Sequence, residues 1–285
     1  MDSTAVEDLE LELLLNGIFR RYGYDFRHYS QASIRRRVKH FLAKSGLEHI
    51  TDITARMLHD QEFFQQLLAD FSVTVTEMFR DPDVYAALRR DVVPFLRTYP
   101  FLKIWHAGCA SGEEVYSLAI LLKEEGLYDR ATIYATDFNE TVLARAKQGI
   151  YPIGEVKKYI DNYRKAGGSG SLTDYFDAHY EAVIMSQALK KNITFARHNL
   201  VSDQVFGEMN LILCRNVLIY FDKTLQGRVL GLFDDSLVRG GFLCLGKKES
   251  LQFSEIYTHY EEVDKRMQIY RKRLNGEQVH RNENQ

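Results

Sequence analysis

The stretch Phe101-Leu-Lys-Ile-Trp-His-Ala-Gly-Cys-Ala-Ser-Gly-Glu-Glu-Val-Tyr-Ser117 limits most tightly what this chain can fold into. Residues 101–105 mix apolar and β-favouring side chains over the length of a buried strand. Ala107, Gly108, Ala110, Ser111 and Gly112 then predict a small-residue turn. From Glu113 onward the pattern is helical, with Val115, Leu118, Ala119 and Leu122 on one face. A strand that passes through a glycine turn into a helix brings main-chain N–H groups close to a ligand. A phosphate cradle of this kind would carry Gly-Lys-Ser/Thr. Here the turn is followed by two carboxylates, Glu113 and Glu114, which favour a ligand bearing positive charge. A second strand, Thr132–Thr136, ends in Asp137, roughly 20–30 residues after the glycines, where a ribose-binding acid belongs. S-adenosylmethionine meets both demands, with a ribose, an ammonium and a sulfonium.

The 285 residues, 45% of them hydrophobic, can bury one large core or two unequal ones. A formal net charge of −2 gives no global reason to bind nucleic acid or an anionic membrane. No apolar run approaches the ~20 residues of a membrane span, so no membrane insertion is expected. The start, Met1-Asp-Ser-Thr4, reads as acidic rather than as a signal peptide. Cys109, Cys214 and Cys244 are odd in number, lack CxxC spacing and sit in apolar settings. They are expected to be reduced and unligated, with no metal site, and the chain to be cytoplasmic.

Residues 5–71 read as helical throughout. Val6, Leu9, Leu13 and Leu14 give one apolar face, and Ile34, Val38, Phe41 and Leu42 another, with Ser33 as a candidate N-cap. Between Arg20 and Lys44 eight cations face a single acid, Asp25. Arg35, Arg36 and Lys39 fall largely off the apolar stripe of their helix, a surface that would suit an acidic helical partner. The chain therefore divides into a helical domain over 1–71, a linker and cleft-lining segment over 72–100, an α/β domain over 101–274 and a disordered tail over 275–285. Within the α/β domain, 150–197 reads as an inserted subdomain of helices and strands. His198-Asn-Leu200 follows a strand, where base or ribose contacts arise. Met209–Cys214 is a near-continuous apolar run, the mark of a central parallel strand, and places Asn216 and Tyr220 at the cleft beyond it.

Several blocks, in one order, resemble the chemoreceptor glutamate methyltransferases, the CheR family. They are Val73–Asp81, Trp105–Ser117, Ala135–Asn139, His198–Leu200, Cys214–Phe221 and Leu245–Leu251, and they cover nearly the whole chain. The resemblance implies an α/β, class I (Rossmann-like) S-adenosylmethionine-dependent methyltransferase. With it go a small N-terminal all-α domain and an inserted β-subdomain. Carried over by motif, Thr74, Thr76 and Arg80 would contact the cofactor or border the methyl-transfer site, and Gly108 would form the turn beneath it. Glu113 would face the methionyl end, Asp137 the ribose hydroxyls, Asn199 and Leu200 the adenosine, and Asn216 and Val217 the cleft beside the sulfonium. Arg80 and Tyr220 would steer and orient the substrate carboxylate. The chain departs from the best-known members at Thr74, where they have Asn, and at Gly246-Lys-Lys-Glu-Ser250, where they have a Gly-His-Ser-Glu-like block.

The implied reaction esterifies a substrate glutamate, with S-adenosyl-L-homocysteine as the second product. A glutamate side chain has a reference pKa of about 4.3, so it is an anionic nucleophile at neutral pH without a general base. An amine or DNA-base acceptor would instead favour an Asn/Asp-Pro-Pro-Tyr-like turn after the fourth strand, where this chain reads Arg215-Asn-Val-Leu-Ile-Tyr220. Expected partners are the cytoplasmic helical domain of a chemoreceptor, docked through Arg35, Arg36 and Lys39, and a receptor C-terminal peptide added to the inserted β-subdomain. Two other readings stay open at this level. One is a cofactor-binding adaptor without turnover; the other is a carboxyl methyltransferase with a non-receptor substrate.

Overall fold

A computed structural model of the chain describes residues 3–71 and 76–274. The chain divides into two units, Met1–Val73 with Ile219–Arg228, and Thr74–Leu218 with Val229–Gln285. The helical unit is thus discontinuous in sequence, and the expected boundary at residue 71 omits its second piece. That piece is held by a bridge between Tyr29 and Phe221 and by the Asp222 N–H donating to the His28 carbonyl at 2.9 Å.

In the helical unit, α1 spans Ser3–Tyr22, α2 Gln31–Ser45, α3 Ile50–His59 and α4 Gln61–Phe71. The inner face of α1 is Leu11, Leu14, Leu15 and Ile18, whereas Val6, Leu9 and Leu13 are exposed, so the expected face holds only at Leu14. Gly17 explains the choice. A Cβ there would lie 2.8 Å from Met57 Cε, so α1 crosses α3 closely at this point and the residues around it turn inward. On α2 the expected stripe Ile34, Val38 and Phe41 is buried. Its N-cap position falls on Ser30 rather than Ser33, and a left-handed Gly46 (φ 69°) ends it.

The larger unit opens with α5 (Pro82–Ala87), a wider π turn over Leu88–Val92 and α6 (Val93–Leu96). Pro94 has no N–H to give to the preceding turn, which accounts for the widening there. The chain continues through β1 (Leu102–Ala107), α7 (Glu113–Glu124), β2 (Ala131–Asp137) and α8 (Glu140–Gln148). Then come β3 (Ile150–Pro152), α9 (Val156–Lys165), β4 (Phe176–His179), β5 (Ala182–Met185), α10 (Gln187–Lys190) and β6 (Ile193–Arg197). The last elements are β7 (Met209–Cys214), α11 (Lys223–Ser236), β8 (Leu237–Leu245), β9 (Tyr260–Asp264) and β10 (Ile269–Lys272).

Seven strands form one sheet in the order β6-β2-β1-β7-β8-β10-β9. The first five are mutually parallel and β10 runs antiparallel to both its neighbours. All six residues of β7 are buried, as a strand covered on both faces requires. From β1 the chain first builds outward through β2 and β6, then returns to lay β7 and β8 on the other side. The strand order reverses between β1 and β7, and in open α/β sheets ligands bind at the carboxyl ends of the strands flanking such a reversal. The separate sheet β3-β5-β4 is antiparallel and constitutes the insertion with α9 and α10. Ile193–Arg197, expected inside that insertion, pairs instead with Ile133–Asp137 of β2, so the insertion closes before it. Residues 72–75, Thr74 among them, and the tail from 275 lie outside the described residues.

Candidate active site

The glycine turn after β1 is shaped by close approach. Gly108 has φ 71°, and a Cβ on it would lie 2.5 Å from Val217 Cγ2. The Gly108 and Cys109 N–H groups both donate to the Thr136 carbonyl, at 2.8 and 2.9 Å, and the Ala110 N–H donates to Asp137 Oδ2 at 3.0 Å. The turn is therefore fastened to the end of β2. Asp137 Oδ1 accepts from the Asn139 N–H at 3.0 Å. Burial raises the Asp137 pKa, and the N–H bonds of Asn139 and Ala110 oppose the rise. A carboxylate offers about four lone-pair sites, so the main-chain donors of Asn139, Ala110 and Phe138 leave acceptor capacity for a hydroxyl.

The two glutamates that open α7 have separate roles. Glu113 accepts from Ser111 Oγ at 2.8 Å, and burial pushes its pKa up to about 7. A cation brought beside it would restore the ionised form. Consecutive helical residues point about 100° apart, and Glu114 turns into the core. It is ion-paired with Arg215, whose side chain is 0% exposed. Arg215 also reaches Asp81 Oδ2 at 2.7 Å and the Arg80 carbonyl at 3.1 Å. His106 lies beside this pair, 3.8 Å from Glu114 Oε2. Burial, aided by the Arg215 charge, holds its pKa down to about 3. His198 stacks edge-on against Trp105, with Nε2 3.2 Å from the Gln204 carbonyl.

Beyond β7, Asn216 adopts φ 60°. Its N–H donates to Glu249 Oε2 at 3.0 Å, and the Gly246 N–H donates to the same oxygen at 2.6 Å. Glu249 thus ties the divergent Gly246–Ser250 block to the Asn216 backbone, while Lys247 lies 3.6 Å from Asp83 and 3.8 Å from Asp81. Asn216 Oδ1 is buried without a hydrogen-bond partner among the described residues. The His198 N–H donates to the Asp137 carbonyl at 3.1 Å and delivers the 198–203 turn to the end of β2. In that turn Asn199 Oδ1 accepts from the Val201 N–H at 3.0 Å, and Leu200 is buried.

The larger unit thus brings together Gly108, Glu113, Asp137, Asn199, Leu200, Asn216 and Val217 at the carboxyl ends of its central strands. Thr76 and Arg80 are half-buried on the segment leading into α5. Tyr220, expected at the cleft with Asn216, clusters with the helical unit. The Ser30 N–H donates to its carbonyl at 2.7 Å, and Arg37 of α2 lies 4.7 Å from its ring centre. On the same helix Arg35 pairs with Glu7 and Asp8, and Lys39 with Glu7, whereas Arg36 is exposed. Sequence reading missed Arg215, Glu249 and Arg37 as organisers. The one available signal was that Glu113 and Glu114, being adjacent, cannot face the same ligand.

These residues fit S-adenosylmethionine. The missing Cβ at Gly108 lets Val217 close onto the turn, Asp137 retains an acceptor site, Glu113 has a carboxyl that a cation would ionise, and Asn216 holds an orphaned acceptor. No group of three or more metal-ligating side chains occurs among the described residues, and the three cysteines are free and buried. No helix among them is long and apolar enough to cross a membrane.

Residues 74–267 match the family described as CheR methyltransferase, SAM binding domain, and residues 9–72 match CheR methyltransferase, all-alpha domain. A Pseudomonas putida protein that carries the name Cher3 is 50% identical over 272 residues, covering 95% of this chain and 100% of its own length. A chemotaxis protein methyltransferase of Listeria innocua is 28% identical over 250 residues, 86% of this chain and 92% of its own. One from Borreliella burgdorferi is 27% identical over 257 residues, 85% and 88% respectively.

Proposed function

The chain belongs to the CheR methyltransferase family, and we propose that it esterifies glutamate side chains on the cytoplasmic helices of a chemoreceptor. One observation carries this reading. Among the described residues the site assembles acids and acceptors around a glycine turn; Glu113, its pKa pushed up to about 7, is engaged by the methionyl ammonium, and His106, held down to about 3, is too weak a base to take a proton from an acceptor. Such a site suits an acceptor that is already an anion, and a glutamate carboxylate, with a pKa of about 4.3, is one.

When bound, S-adenosylmethionine supplies a methyl group that a carboxylate oxygen can take, the carbon–sulfur bonding pair returning to sulfur. The work of the protein is then to hold both reactants at near-attack distance. Asp137 binds the ribose hydroxyls, Glu113 the methionyl ammonium, and Asn199 and Leu200 the adenosine. Gly108, Asn216 and Val217 line the methyl-bearing end, with Thr74 and Thr76 contributing hydroxyls. Arg80 borders the cofactor and steers the acceptor carboxylate, and Tyr220 orients that carboxylate by a hydrogen bond. The exposed Arg36, with Arg35 and Lys39, meets the acidic receptor helix. The edges of the small sheet offer a seat for a receptor C-terminal peptide by strand addition. The proposed compartment is the cytoplasm, where such receptor helices lie.

Transfer of radiolabelled methyl from S-adenosylmethionine to cytoplasmic receptor fragments tests the reading, with Asp137→Ala alongside. Base-labile label from the native protein, lost in the variant, is the expected result. Absence of label across a panel of receptors, with cofactor binding confirmed by calorimetry, would replace the enzyme with a cofactor-binding adaptor.

A further inference from the structure

Arg215 is a fully buried guanidinium that joins two separate pieces of the larger unit by three contacts. One nitrogen meets Glu114 on the first turn of α7 and the Arg80 main-chain carbonyl at 3.1 Å, and the other meets Asp81 Oδ2 at 2.7 Å. The turn it grips is held in unusual backbone conformations. Phe79 and Asp81, on either side of Arg80, both lie in the left-handed region, with φ 51° and 53°. Residues with a Cβ adopt that region only when their surroundings over-determine it. Here the Phe79 N–H donates to Ser117 Oγ at 2.8 Å on one flank, and Arg215 holds the carbonyl and carboxylate on the other. With both flanks anchored, the Arg80 side chain is presented from a fixed backbone.

Stability alone is a weak reason to bury a charge here. Buried ion pairs commonly contribute no more than apolar side chains of similar size, because desolvation offsets their attraction. What a planar guanidinium offers is geometry: several fixed donors that lysine's single ammonium cannot reproduce. We propose that Arg215 is a positioning residue that acts through Arg80, fixing the Arg80–Asp81 turn so that Arg80 serves the cofactor site. This rests on the reading of Arg80 as a cofactor-site residue, but not on the identity of the methyl acceptor. Arg215 itself touches neither reactant.

A double-mutant cycle on S-adenosylhomocysteine binding tests the proposal without any acceptor. Calorimetric titration would compare the native chain, Arg80→Ala, Arg215→Lys and the double variant, each first checked for a native melting transition. Each single change is expected to raise Kd about tenfold, and the double variant to bind no more weakly than Arg80→Ala alone, the signature of groups that act as one. Independent, multiplying losses of about a hundredfold in the double variant, or an unchanged Kd in Arg215→Lys beside a weakened Arg80→Ala, would overturn it. Asp81→Asn, which keeps size and shape, gives the same cycle if Arg215→Lys does not fold. An unchanged Kd in Arg80→Ala would remove the premise and the proposal together. Failure to methylate any receptor would leave the cycle interpretable, so the two readings fail separately.

Discussion

At the scale of single residues, the site depends on one absent Cβ and one displaced proton. Gly108 is required twice, by its positive φ and by Val217 Cγ2 at 2.5 Å from any Cβ. Gly108→Ala is expected to destabilise the fold by at least about 1–2 kcal/mol, the cost of left-handed strain in a non-glycine residue before the clash with Val217 is added. Thermal or urea unfolding checks it, and unchanged stability would refute the close approach. Glu113 carries the pH dependence. Its folded pKa of about 7 lies above the ordinary 4.5 because burial disfavours the charge. In the ligand-free protein its contribution to stability is therefore complete below about 4.5 and is lost as pH rises through about 7. A bound ammonium reverses the preference and stabilises the ionised carboxylate. Affinity for S-adenosylhomocysteine should then rise from about pH 6 to about 7.5 and level off, by the same linkage. Glu113→Gln should bind weakly with no such slope, and a slope that survives the substitution would assign the proton elsewhere.

At the scale of elements, α8 and α2 make separable predictions. Asn139 caps α8, its Oδ1 accepting from the Thr141 N–H at 2.9 Å, while its own N–H serves Asp137. Asn139→Ala should cost about 1 kcal/mol, which lowers the melting temperature by about 2–4 °C in a domain of this size. The bond to Asp137 uses the main chain and survives. On α2, Arg35 and Lys39 already answer α1 acids, so exposed Arg36 is the charge left to meet a partner. Arg36→Glu should raise the KM for a receptor substrate with little change in cofactor Kd, and the defect should shrink as salt rises. Much of this arrangement was legible in the sequence because it is local: β1, the glycine turn and α7 are consecutive, and Asp137 ends the next strand. Other features were not local. Glu114 and Arg215 are 101 residues apart, so no spacing rule joins them. The N-terminal half of α1 is apolar on more than one face, and only the crossing at Gly17 decides which face is buried. Ile193–Arg197 has the same strand pattern whether it pairs within the insertion or with β2, and the choice is made by β2.

At the scale of the whole molecule, a helical unit and a doubly wound larger unit are found together in one family fold, with residues 9–72 and 74–267 each matching their own part of it. The larger unit carries the residues proposed to bind the cofactor, and the helical unit carries the basic helix with Arg37 against the Tyr220 ring. Tyr220→Phe should lower kcat on a receptor about tenfold or more, the scale of a lost hydrogen bond to a charged group, with cofactor Kd unchanged. A fall in cofactor affinity instead would move Tyr220 from acceptor orientation to cofactor binding. The central claim, that the acceptor is a glutamate side chain of a receptor, is tested most directly by locating the transferred methyl. Receptor fragment methylated by the native chain would be digested and sequenced by tandem mass spectrometry, before and after mild base. Methyl esters are expected on glutamate side chains of the cytoplasmic helices, removed by the base. Base-stable methyl on a nitrogen, or methyl recovered only on a small carboxylic acid, would contradict it.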